Sequence, residues 1–133
     1  MDRRTNSMSW QNFRHAEFKC RCGCNKNLID SDFVDRLQRL RDRYARPMII
    51  TSGYRCKKHD QTVGSGTGVH VSGHAVDVLV SRVNAYDLIR CALELGFTGI
   101  GAMQHGPHKK RFVHLDDLRS LKGKWIRSML WTY

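Results

Sequence analysis

No run of about 18 apolar residues occurs in the chain, which excludes a membrane-spanning α-helix. The opening stretch, Met1-Asp-Arg-Arg-Thr-Asn-Ser7, has no apolar segment, so no secretory leader is expected there. Acidic residues are scarce: 12 Asp and Glu stand against 23 Lys and Arg, giving a net charge of +11. Cysteine is limited to five residues, an odd number that, without a leader, argues against a disulfide framework. Gly64-Ser-Gly-Thr-Gly68 is not followed by Gly-Lys-Ser/Thr, so it does not read as a phosphate-cradling loop. Helix-turn-helix, zinc-finger and aromatic RNA-binding signatures are also missing, as are internal repeats and low-complexity tracts.

What remains is an ordinary globular composition, 41% hydrophobic and 26% charged, over 133 residues. That length fits one domain spanning 1–133 with a single modest core, its polar residues 1–10 expected to be loose. Asp30-Ser-Asp32 offers a cap for a helix running to about Tyr44, with Phe33, Val34, Leu37, Leu40 and Tyr44 on its apolar face. Pro47 ends that helix, and Met48–Thr51 reads as a short buried strand. Lys57–Val63 adds a helical turn, and Ala75–Val80 a second strand. Another helix is expected from Ser81 or Asn84 to Gly96, burying Val83, Tyr86, Ile89, Ala92 and Leu93. Gly99–Met103 and Arg111–Leu115 then form two strands joined by a polar turn, and the tail from Lys124 to Tyr133 supplies a last one. This order predicts an α+β fold, with helices packed on a small, mostly antiparallel sheet.

Two of these strands carry residues that do not belong in an apolar run. Asp77 sits in Ala75-Val-Asp-Val-Leu-Val80, and His114 lies between Val113 and Leu115. A carboxylate in such surroundings is costly unless paired or coordinated. His70, seven residues before Asp77, brings the set to two imidazoles and a carboxylate, a common ligand set for catalytic zinc with one position left to water. Strand alternation puts His114 and Asp116 on one face and Val113 and Leu115 on the other, so a strand can present a ligand to a cleft while its other face packs. Gly73 gives the chain room to turn between His70 and Asp77.

Ser52-Gly-Tyr-Arg55, Val69-His-Val-Ser-Gly-His-Ala-Val-Asp77 and Val113-His-Leu-Asp116 together resemble the M15 group of zinc D,D-peptidases and endopeptidases that act on bacterial cell walls. Asn12-Phe13, Glu17-Phe18, the turn from Cys20 to Cys24 and the closing Trp131-Thr-Tyr133 extend the likeness over nearly the whole chain. The resemblance implies a hedgehog/D,D-peptidase-like fold with its site in a cleft. It also implies one Zn2+ per chain, held by His70, Asp77 and His114. It makes Arg55 the residue that holds a substrate carboxylate or stabilises the oxyanion, a task suited to a bidentate fork. Branches of the group place a Glu three residues, or a His two residues, before the last ligand; here Arg111 and Phe112 stand there. Asp116 is then either the general base or a partner that orients His114. His74 and Asp117 stand next in line, while His105 and His108 read as exposed turn residues.

The expected function is hydrolysis of an amide in the peptide stems or cross-links of peptidoglycan, by a phage lysin or virion-associated wall peptidase. Virion proteins are possible further partners, and membrane insertion is not expected. The protein would be made in the cytoplasm and act on the wall after release or as part of a particle. The basic runs suit an anionic envelope, a nucleic-acid face or a solvated surface, and of these nucleic acid is the least expected partner. A wall-binding or virion module that keeps the zinc but lacks catalysis is the rival reading. Cys20-x-Cys-x-Cys24 is too tight for paired knuckles. With Cys56 it could gather a second metal or a stray bridge, but the simpler expectation is small buried thiols in a glycine turn.

Overall fold

A computed structural model describes residues 10–64 and 66–133 of the chain. The looseness expected at residues 1–9 therefore lies outside the described residues. Trp10, however, is anchored: its indole donates to Asp35 at 2.7 Å and meets the ring of Phe18 edge-on.

Helix α1, Ser31–Tyr44, forms where the sequence signals it. Asp30 accepts the Phe33 backbone N–H at 2.9 Å, satisfying one of the orphan donors of the first turn. All five residues expected on its apolar face are buried. Strand β1 (Ile49–Ser52) and the short helix α2 (Lys57–Val63) follow, then β2 (Ala75–Leu79), α3 (Arg82–Glu94), β3 (Gly99–Met103) and β4 (Phe112–Asp116). The tail divides into a two-stranded ribbon, β5 (Ser120–Leu121) with β6 (Lys124–Trp125), and a final strand β7 (Met129–Thr132). Lys122 and Gly123 both take positive φ in the ribbon's tight turn, the geometry that matches strand twist in a two-residue hairpin.

The main sheet has the order β1-β2-β4-β3-β7, antiparallel except for the parallel pair β3–β7. The expected α+β architecture and mostly antiparallel sheet are thus present. One face of the sheet carries Val76, Val78, Val113, Leu115 and Ile100 into the core, where they meet Phe33, Leu37 and Leu40 of α1 and Leu88 of α3. The opposite face is left for polar chemistry.

Helix α3 departs from expectation. It starts after Ser81 and ends at Gly96, as its sequence signals, with Gly96 and Phe97 closing a Schellman pair on Leu93 and Ala92. Its buried residues, however, are Ala85, Leu88, Cys91 and Ala92. Val83, Tyr86 and Leu93 are exposed, and Ile89 only borders the core. The helix is apolar on more than one stripe, and small side chains let it lie close against the sheet. A reading that puts the largest residues inside selects the wrong stripe. Among the described residues no helix is long and apolar enough to cross a membrane.

Candidate metal centre

Across the polar face of the sheet the strand register lines up Ser52, Asp77, His114, Gly101 and Trp131 in one row. The placement of Asp77 beside His114 is therefore set by backbone pairing, not by a flexible loop. His70 reaches the same point from the turn after Gly68. Gly73, at φ +79, lets that turn pass so close to Leu28 that a side chain there would strike the Leu28 carbonyl.

His70, Asp77 and His114 are all buried, and one donor atom from each lies within 4.8 Å of the others. Asp77 Oδ1 is 3.4 Å from His70 Nε2 and 3.1 Å from His114 Nδ1. The outward nitrogen of each imidazole is also engaged. His70 Nδ1 donates to the Gly53 carbonyl at 2.8 Å, and His114 Nε2 donates to Asp116 Oδ2 at 2.7 Å. Each ring is thereby fixed with its other nitrogen turned inward, as a metal-binding histidine needs.

Burial alone would raise the Asp77 pKa, but hydrogen bonds from His114 and His70 hold the carboxyl well below the usual range. Burial disfavours the imidazolium of His114, yet Asp116 and Asp77 on its two sides carry its pKa above the ordinary value. Two nitrogens and one oxygen converging at the floor of a cleft fit the donor set of a catalytic metal with an open position.

The cleft above has a volume of about 930 Å³. Arg55 enters it between partners: Nη1 meets Asp60 at 3.3 Å, Nη2 meets Asp77 at 3.4 Å, and Nε donates to Ser52 Oγ at 3.1 Å. Lys122 and Lys124 of the ribbon line the same space, as do Trp131 and Tyr133. Among the described residues, the carboxylates lining it are Asp60 and Asp77, both paired with Arg55.

Asp116 is placed differently. It is fully buried and does not line the cleft. Arg127 grips it with two nitrogens, at 3.1 and 2.8 Å, on the side of the His114 ring away from Asp77. Burial would raise its pKa, but His114 and Arg127 together keep it lowered. His74 and Asp117 pair with each other at 2.9 Å outside the cleft, and His105 and His108 sit in the exposed turn before β4.

Several residues of this arrangement escaped the sequence reading: Asp60, Arg127 and the two glycines of β3. A Cβ at Gly99 would strike the Asp116 carboxylate, and one at Gly101 would strike the Trp131 indole. The spacing Gly99-Ile-Gly101 was the available signal, since glycine inside a strand marks close approach of another group. Trp131 uses that space to lie 5.0 Å from the His114 ring and 5.2 Å from the Arg127 guanidinium.

Residues 11–116 match the sequence profile of the family described as Peptidase M15. No curated protein matches the chain.

Proposed function

The chain belongs to the Peptidase M15 family of metallopeptidases, and from that premise we propose a zinc enzyme that hydrolyses an amide in the peptide stems or cross-links of bacterial peptidoglycan. The observation that carries this reading is the convergence of His70, Asp77 and His114 on the floor of a cleft that also holds Arg55. Zinc held by those three residues would polarise the scissile carbonyl and lower the pKa of water enough to supply a nucleophile near neutral pH.

The chain's own groups do the rest. Arg55, braced by Asp60 and Ser52, offers a fixed guanidinium to a carboxylate or developing oxyanion. Lys122 and Lys124 add positive charge along the ribbon wall, matching the carboxylates of a wall peptide. Trp131 and Tyr133 give the cleft flat apolar surface against which a peptide can lie. Of the two roles open to Asp116, the geometry favours orientation of His114, because the carboxylate has no face toward the cleft.

The zinc-loaded protein is expected to release peptide fragments from purified peptidoglycan, and mass analysis of those fragments identifies the bond cut. A rival reading, a zinc-containing wall-binding module without catalysis, is favoured by one observation: among the described residues, each carboxylate lining the cleft is already paired. Binding to the wall with full zinc occupancy and no fragment release supports that rival and overturns the proposal.

A further inference from the structure

We propose that Cys20, Cys22, Cys24 and Cys56 form a second metal site, a closed four-thiolate site for Zn2+ that fixes the loop carrying Arg55. The four sulfurs lie within 4.8 Å of one another, in a group separate from the His70, Asp77 and His114 cluster. Cys22 Sγ is 3.5 Å from Cys20 Sγ and 3.6 Å from Cys56 Sγ. A disulfide requires about 2.05 Å between sulfurs. Four ligands held tetrahedrally at about 2.3 Å from zinc stand roughly 3.8 Å apart. The observed separations suit a shared cation and not a bridge.

The main chain is arranged for charged sulfur. Backbone N–H groups of Cys56, Lys26 and His59 donate to the sulfurs of Cys20, Cys24 and Cys56, at 3.3, 3.4 and 3.4 Å. Gly23 at φ +89 and Asn25 at φ +64 curl the segment so that alternate cysteines turn toward one point. This is how a spacing too tight for paired knuckles still converges. Cys22 and Cys24 are exposed while Cys20 and Cys56 are buried, so the expectation of four small buried thiols does not hold. The exposed pair leaves the cation a path of entry.

Four soft sulfurs with no histidine or carboxylate select zinc over hard cations and leave no position for water, which makes the site structural. Its net charge of about −2 follows from four thiolates on one Zn2+. Arg21, Lys26, Lys57 and Lys58 in the same two segments offset it. The consequence lies one residue away. Cys56 follows Arg55, Tyr54 N–H donates to the Phe18 carbonyl at 2.9 Å, and the Gly53 carbonyl holds His70. One cation therefore ties residues 20–24 to the backbone from which Arg55 extends and against which His70 is oriented.

Metal analysis of the protein loaded with Zn2+ tests this without reference to activity. Two equivalents are expected in the unaltered chain, one in Cys22→Ser/Cys24→Ser and one in Asp77→Ala/His114→Ala. X-ray absorption of the Asp77→Ala/His114→Ala variant should show sulfur neighbours alone, at about 2.3 Å. Should the cysteine variant fail to fold, Co2+ loaded into Asp77→Ala/His114→Ala must still give a thiolate-to-metal charge-transfer band. Removing zinc with a chelator should also speed amide exchange at Tyr54, Arg55 and Cys56. A missing charge-transfer band, a disulfide among the four cysteines, or a metal content unchanged in the cysteine variant overturns the site. Amide exchange unchanged on zinc removal overturns its hold on the loop.

Discussion

His114 Nε2 donates to Asp116 Oδ2 at 2.7 Å, while the Nδ1 of the same ring faces Asp77 at 3.1 Å. One imidazole thus connects Asp77 at the cleft to a fully buried carboxylate gripped by Arg127. The arrangement leaves Asp116 able to hold the ring and raise its basicity, but not to reach a water in the cleft. Asp116→Asn is therefore expected to weaken zinc affinity by roughly 10–100-fold, the usual cost of losing a partner behind a ligand. Hydrolysis measured at saturating zinc should stay near that of the unaltered protein. A fall of ~10²–10⁴ with affinity intact would instead identify Asp116 as the general base.

Arg55 is held by three separate contacts, to Ser52, Asp60 and Asp77, so its guanidinium plane is fixed before any substrate arrives. A lysine keeps the charge but not the fork. Arg55→Lys should retain the fold and both metal equivalents while losing most wall hydrolysis. Circular dichroism, metal content and fragment release, measured on one preparation, check the three parts. Near-normal turnover would place Arg55 away from the reacting centre.

Two of the three residues that converge at the cleft were legible because each breaks a local pattern. Asp77 and His114 interrupt apolar strands, and a charge or imidazole there demands a partner. Helix α1 was legible for the converse reason, since its cap and its apolar stripe agree. Helix α3 was not, because several of its faces are apolar and the sheet chose the one lined by Ala85 and Ala92. Arg127 and Trp131 were hidden for a different reason. Their roles depend on which strand lies beside which, and the parallel β3–β7 pairing that sets Trp131 opposite Gly101 is a long-range outcome.

That pairing makes a test of its own. The Trp131 indole occupies the space where a Gly101 side chain would stand, 5.0 Å from the His114 ring and 5.2 Å from the Arg127 guanidinium. Gly101→Ala must displace it. The expected cost is about 1–3 kcal/mol, the range for overpacking a filled site. The change should appear as altered Trp131 emission, identified by its absence in Gly101→Ala/Trp131→Phe. Unchanged emission with unchanged stability would show that the indole does not lie over Gly101.

His74 provides a pH dependence separate from the metal. Its Nδ1 lies 2.9 Å from Asp117 Oδ1, and Asp117 Oδ2 is 3.3 Å from Arg36. The Asp117 hydrogen bond raises the His74 pKa above 6.5, outweighing partial burial, which lowers it. A histidine whose folded pKa exceeds its unfolded value of about 6.5 binds protons more tightly when folded. Its stabilisation is complete below that unfolded pKa and disappears as pH rises through the folded one. The stability difference between the unaltered chain and His74→Gln should therefore be larger at about pH 5.5 than at pH 9, where the imidazole is neutral in both states. Titration of the His74 ring by NMR should give a midpoint above 6.5 that moves down in Asp117→Asn. A midpoint at or below 6.5 in the unaltered protein would mean that Asp117 does not favour the His74 imidazolium, and the stability difference should then not grow toward low pH.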